Sequence, residues 1–158
     1  MSTKSAVLAK RFESEIGEAI TMLEQLSEAD WHKVTAAEGW TVGATAHHYA
    51  GALGPISQLI EGLVAGRPGT LNTRLLDEMN AQHAKDYADC SKAETIALLR
   101  EGSAVASGTI RGLNDSQLAA RGTVLTDLPQ MSVEQLINTG LLGHLEEHFG
   151  SIRKTVGR

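Results

Sequence analysis

A chain of 158 residues carrying one cysteine and a formal net charge of -5 is long enough to bury a hydrophobic core, and it has to do so without disulfides. With Lys+Arg 14 against Asp+Glu 19, it lacks the basic stripe that a binder of phosphate backbones needs, so nucleic acid is not an expected partner. Length predicts a single domain over residues 1–158, and any metal site must be built from histidine and carboxylate, because a lone Cys90 cannot form a thiolate cluster.

Leu8, Phe12, Ile16, Ile20 and Leu23 recur at helical spacing and predict a first helix over about residues 4–26. Lys4, Lys10, Arg11, Glu13, Glu15 and Glu18 interrupt its apolar positions, which is not the apolar core of a signal peptide, so a cytoplasmic protein is expected. Residues 27–39 break the pattern, carry Trp31 and His32, and have room for a short turn of helix. From 41 to about 66, Val42, Tyr49, Leu53, Ile56 and Ile60 share a face, while Gly51, Gly54 and Pro55 predict a kink or interruption near the middle. The most apolar stretch, 46–65, is broken by His47, His48, Gln58 and Glu61 and does not read as a membrane span.

Arg67-Pro68-Gly69 marks a loop, and a third helix is predicted over about 73–87 with a poorly defined apolar face. Cys90 lies in the polar run Asp89-Cys90-Ser91 and reads as a bystander thiol. Ser91-x-x-Glu94 matches a capping box, and Ile96, Leu99, Ala106, Ile110 and Leu113 carry the next helix to about 113–114. Residues 114–131, with Gly122, Thr123, Thr126, Asp127 and Pro129, read as a loop with one short helical turn. Ser132-x-x-Gln135 then caps a last helix to about 156, with Val133, Leu136, Ile137 and Leu141 facing inward. No repeat and no useful alternation of period two appears. The long connections predict an all-α four-helix bundle with crossover connections plus short extra helical turns.

At roughly 100° per residue, His144 and His148 lie about 40° apart around the last helix, with His144 between Val133, Leu136 and Ile137 and His148 beside Leu141. Two histidines on an apolar face need partners for four ring nitrogens, and a metal ion satisfies one nitrogen of each. A third ligand has to come from another helix. Measured from the stripe of Val42, Tyr49 and Leu53, His48 lies roughly 100° away beside Thr45 and Ala52, whereas His47 lies roughly 160° away and reads as solvent-facing. Three neutral imidazoles, His48, His144 and His148, suit zinc, nickel or another borderline divalent ion and leave a coordination position open. Glu147 reads as a surface carboxylate or a hydrogen-bond partner of a ligating ring, and Glu146 as outward. Asn80 and His83 read as a solvent-facing patch on a helix passing the mouth of the site, and His32 has no visible partner.

Gly39-Trp40-Thr41-Val42, His48 eight residues after Trp40, and His144-x-x-x-His148 resemble, in that order, the DinB-like metal-binding family. Its superfamily includes mycothiol-dependent maleylpyruvate isomerases and bacillithiol transferases, and the likeness spans about residues 5–156. The resemblance implies a four-helix bundle with crossovers, a three-histidine divalent-metal site at one end, and a homodimer. In the isomerase branch a carboxylate takes the first place of the late pair, where this chain has His144. Thiol transferases and uncharacterised members are therefore the nearer matches, and the name, which concerns damage-inducible genes, does not argue for DNA binding.

Three functions remain open on the sequence. In the first, a zinc or nickel ion on the three histidines activates a low-molecular-weight thiol for transfer or isomerisation, loops around Trp31 and Gly122 shape the pocket, and Arg67, Arg74 or Arg121 meets an anionic substrate. The second is metal-assisted hydrolysis with a carboxylate base. In the third the bundle binds metal, or dimerises, without turnover.

Overall fold

Every long helix begins where a short polar side chain takes over a backbone N–H that has no partner within the helix: Ser2 accepts from Ser5, Thr41 from Ala44, Asn72 from Leu75, Ser91 from Glu94 and Ser132 from Gln135. In the computed structural model, which describes residues 2–158, the elements are α1 (Thr3–Gln25), α2 (Glu28–Trp31), α3 (Val42–Val64), α4 (Thr73–Asp86), α5 (Lys92–Arg111) and α6 (Asp115–Ala119). A minimal hairpin of β1 (Arg121–Gly122) and β2 (Met131–Ser132) follows, with Arg121 opposite Ser132. The last helix is continuous but changes character, from α7 (Val133–Leu136) through a π-helical stretch (Ile137–Gly143) to α8 (His144–Val156).

Four long helices enclose the core: α1 packs on α5 and on the π-helical stretch, and α3 packs on α5 and on α8. The principal neighbours run α1, α5, α3, last helix around the bundle, so the consecutive helices α1 and α3 sit on a diagonal. The segments before α3 and before α7 therefore cross an end of the bundle, as their lengths predict. The predicted stripes supply much of the buried set, with Phe12, Ile16 and Leu23 of α1, Tyr49, Leu53 and Ile60 of α3, Leu99 and Ile110 of α5, and Val133, Leu136, Ile137 and Leu141 of the last helix, where Phe149 and Ile152 join them. Among the described residues no helix is long and apolar enough to cross a membrane.

Two expectations change. Pro55 does not end α3, which runs unbroken as helix from Val42 to Val64. Gly51 and Pro55 both lie on the exposed side, so the hydrogen bond that proline removes is lost where water reaches the freed carbonyl. An interior proline costs about 3 kcal/mol. Burying Leu53 and Ile60 on the opposite face offsets that at roughly 1.5–3 kcal/mol each.

The second change is the π-helical stretch. The Asn138 amide donates to the Glu134 carbonyl and the Thr139 hydroxyl to the Gln135 carbonyl, competing with the backbone N–H groups that an α-helix would bring there. Gly140 and Gly143 further weaken the α-helical preference. Projection at a constant angle from Val133 to His144 therefore fails, because the wider turns rotate less per residue. Leu141, Leu142 and Leu145 fill the core, and His144 sits half-buried at its margin.

The Tyr49 hydroxyl, fully buried on α3, donates to the Leu141 carbonyl at 2.7 Å and ties the π-helical stretch to the neighbouring helix. Tyr49→Phe leaves that carbonyl short of a partner and should lower stability by about 1–3 kcal/mol. Urea unfolding checks this, and an unchanged midpoint would show that the tie contributes nothing.

Candidate metal centre

The segment between α2 and α3 folds back on itself before the helix starts. Val34 and Thr41 form an isolated β-bridge, and the Val42 N–H donates to the Lys33 carbonyl at 2.8 Å. Gly39, with φ of 73°, makes the left-handed turn that places Glu38 and Trp40 on either side of it, a conformation that L-residues with a Cβ rarely adopt. Thr41 caps α3 through its hydroxyl, which also donates to the Ala88 carbonyl at 3.1 Å. His48 follows about two turns into the helix and faces α8.

There His48, His144 and His148 come together, each offering a ring nitrogen within 4.8 Å of the others. His48 Nε2 lies 3.1 Å from His144 Nε2, and the three ring centroids are 4.7 to 5.1 Å apart. His48 and His148 are buried, at 8% and 7% exposure. The outer nitrogen of each α8 histidine is engaged: His144 Nδ1 donates to the Gly140 carbonyl at 3.2 Å, and His148 Nδ1 lies 3.2 Å from Glu38 Oε2. Nε2 is then the nitrogen each of these two rings presents inward. Trp40 closes one side, stacked on His148 with centroids 6.2 Å apart and edge-on to His48 at 5.2 Å.

Burial pushes the His48 imidazole down to about 3, helped by repulsion from His144, His148 and His83. Burial also lowers His144, to about 4, with His148 adding to the effect and the Gly140 hydrogen bond opposing it. Both rings are neutral near pH 7, with a lone pair available for a cation.

His47 is not the solvent-facing residue that its helical angle predicts. It is half-buried, its Nδ1 is 2.9 Å from His83 Nε2, and Tyr87 stacks over both rings, with centroids 3.9 and 4.6 Å away. The angle describes α3 alone, whereas α4 lies across that face and covers it. His83 is correspondingly not a free surface patch: its centroid lies 5.9 Å from that of His48, and its Nδ1 is buried with no hydrogen-bond partner among the described residues. Burial lowers the pKa of His47 and of His83, with His83 adding to the first and Asp86 opposing the second.

Several residues named from sequence lie elsewhere. Trp31 is buried behind the first turn of α3, where a Cβ on Gly43 would come within 2.6 Å of its indole nitrogen, and that nitrogen donates to the Cys90 carbonyl. Trp40, not Trp31, is the indole against the histidines. Gly122 packs against Leu63, which is 15 residues after His48 and so about 22 Å along α3. Arg67 and Arg121 belong to that far end, and Arg74 pairs with Glu78 at 2.9 Å on the first turn of α4. Asn80 is half-buried one turn before His83, while Glu146 and Glu147 are exposed. His32 bonds to the Glu28 carbonyl of its own short helix. Glu38 was not singled out from sequence, where its only signal is an acidic side chain beside the Gly39-Trp40 pair.

The family model described as the mycothiol maleylpyruvate isomerase N-terminal domain matches residues 12–136, a span that includes His48 but neither late histidine. Solved structures of the same fold include YfiT from Bacillus subtilis, described as a probable metal-dependent hydrolase with an unusual four-helix bundle topology. It is 17% identical with a TM-score of 0.79, over 99% of this chain and 90% of that one. An uncharacterized protein from Clostridium difficile 630 is 16% identical with a TM-score of 0.78, over 98% and 96% of the two chains. A mycothiol-dependent maleylpyruvate isomerase is 12% identical with a TM-score of 0.73, and the match covers 96% of this chain but 63% of the isomerase. No curated protein sequence matches the chain. At these identities the structural likeness shows the fold alone.

The depressed imidazoles fix the sign of a pH effect. An unfolded chain takes up protons on His48 and His144 below about pH 6.5, while the folded protein resists until about 3 at His48 and about 4 at His144. The stability these rings contribute is therefore fully present above about pH 6.5 and drains away as pH falls towards 4. Urea midpoints of metal-free protein should drop more steeply between about pH 7 and 4.5 than those of the His48→Gln/His144→Gln variant; parallel curves would contradict the assignment.

Proposed function

The chain belongs to the mycothiol maleylpyruvate isomerase N-terminal domain family, whose fold is the DinB-like four-helix bundle, and from that footing we propose that His48, His144 and His148 hold one divalent metal ion at which a low-molecular-weight thiol reacts. The observation that supports this reading is the convergence of three imidazole rings with the outer nitrogens of His144 and His148 already engaged. Three imidazoles without a thiolate or a fourth protein ligand suit zinc or nickel and leave a position for substrate. When bound, such an ion favours the ionised form of a thiol. The whole chain acts as one domain in this reading.

The chain's own residues set the surroundings of that reaction. Trp40 covers the His48 and His148 rings on one side and keeps water from them. His47, His83 and Tyr87 stack beside His48, and a substrate that meets this face would meet aromatic rings, which favour an uncharged or aromatic portion. The reaction classes are thiol transfer to an electrophile and thiol-assisted isomerisation, the second in keeping with the name of the matched family. YfiT is described as a probable metal-dependent hydrolase, and hydrolysis is the competing reading. Thiol chemistry fits this chain better, since the carboxylate nearest the triad, Glu38, has both oxygens occupied and Glu146 and Glu147 face solvent.

Elemental analysis after zinc or nickel loading and desalting tests the ligand set. About one ion per chain is expected for wild type and for His47→Ala, and almost none for His48→Ala or for His144→Ala/His148→Ala. Equal occupancy in all four would overturn it. If loaded protein conjugates no simple thiol to a model electrophile but hydrolyses an amide or ester, the hydrolase reading replaces the thiol reading. If it does neither and unfolds on chelation, the ion is structural.

A further inference from the structure

Glu38 is the one carboxylate buried against the histidines, with its side chain 8% exposed. Its two oxygens have different occupants: Oε2 lies 3.2 Å from His148 Nδ1, and Oε1 accepts from the Ser151 hydroxyl. Ser151 is three residues beyond His148 on α8, so the carboxylate grips one face of that helix at two points. Among the described residues no lysine or arginine pairs with Glu38, whose only ion-pair contact is His148. A buried carboxylate without a lysine or arginine partner depends on the hydrogen bonds it makes, which here are those to His148 and Ser151.

We propose that Glu38 is the positioning residue of the metal centre. Its carboxylate holds the proton of His148 on Nδ1 and turns Nε2 to the ion, and Ser151 fixes the carboxylate in the plane that this requires. The proposal rests on the metal reading above for its purpose but not for its geometry. Each ligating ring can present only one nitrogen, and the group on the other nitrogen decides which. For His144 that group is the backbone carbonyl of Gly140, supplied by the turn before it. His148 instead takes a charged acceptor from a loop 110 residues away in sequence, which raises the basicity of the ring as well as orienting it. The left-handed Gly39 next to Glu38 then has a purpose, since it lets one short loop deliver the carboxylate to the outer side of His148 and the Trp40 indole to its face.

Two measurements decide the matter. Nitrogen-15 NMR of metal-free protein at about pH 9 reports the proton position on His148 directly. Wild type should carry it on Nδ1, and Glu38→Ala should move it largely to Nε2. Competition titration with zinc should then show affinity falling about 10–100-fold in Glu38→Ala, less in Glu38→Gln, which keeps an acceptor oxygen, and least in Ser151→Ala. Circular dichroism confirms that each variant is folded, and if Glu38→Ala is not, Glu38→Gln and Ser151→Ala carry the comparison. A His148 proton on Nε2 in wild type, or zinc affinity within twofold of wild type in every folded Glu38 variant, overturns the proposal. If wild type binds no zinc at all the metal reading fails, and the NMR measurement alone still decides what Glu38 does to His148.

Discussion

Crowding three imidazoles together disfavours the gathering of positive charge among them, and much of the architecture around them serves that condition. Burial keeps protons off His48 and His144, and the mutual repulsion of the rings adds to it. An imidazole N–H must still be satisfied, and for His144 and His148 the acceptor lies at the outer edge of the ring. The π-helical stretch brings the Gly140 carbonyl to His144, and the turn at Gly39 brings Glu38 to His148. The departures from regular helix in this chain thus fall where the rings need hydrogen-bond partners that a straight four-helix bundle does not offer.

The same demand explains how the helices are joined. Were α1 and α3 neighbours linked by a tight turn, no chain would cross the end of the bundle where the histidines lie. Their diagonal placement stretches the connection over that end, and the crossing segment becomes the wall of the site, bearing Glu38 and Trp40. At the opposite end the second crossover does different work. The hairpin of β1 and β2 and the loop it closes dock on residues 67–73 through the Gly69–Thr123, Thr126–Leu71 and Thr73–Asp127 hydrogen bonds. One crossover serves the candidate chemistry, and the other closes the base of the bundle.

What could be read from sequence follows the reach of local periodicity. Helical stripes and caps are properties of neighbouring residues, so α1, α4, the start of α5 and the start of the last helix were legible, and so was the His144 and His148 pair at one-turn spacing. His48 was reachable by angle because it sits in the regular first half of α3. Pro55 left kink and interruption both open, since its effect depends on which side of α3 faces water, which only packing decides. His47 misled for the same reason, because an angle measured on α3 takes no account of α4. Glu38 was illegible: it lies in an irregular loop with no period to project, and its partners are 110 and 113 residues further along the chain. The π-helical stretch left a trace in Asn138, Thr139 and two glycines, but not one that specifies how far the helix rotates.

The crossing that builds this site also sets when it can be built. His48 emerges during synthesis 96 residues before His144, and the set of four residues that converge there, Glu38 among them, is incomplete without the last helix. The cluster of histidines is in this sense a record of completed folding: only a chain whose last helix has found its groove beside α3 can bear it.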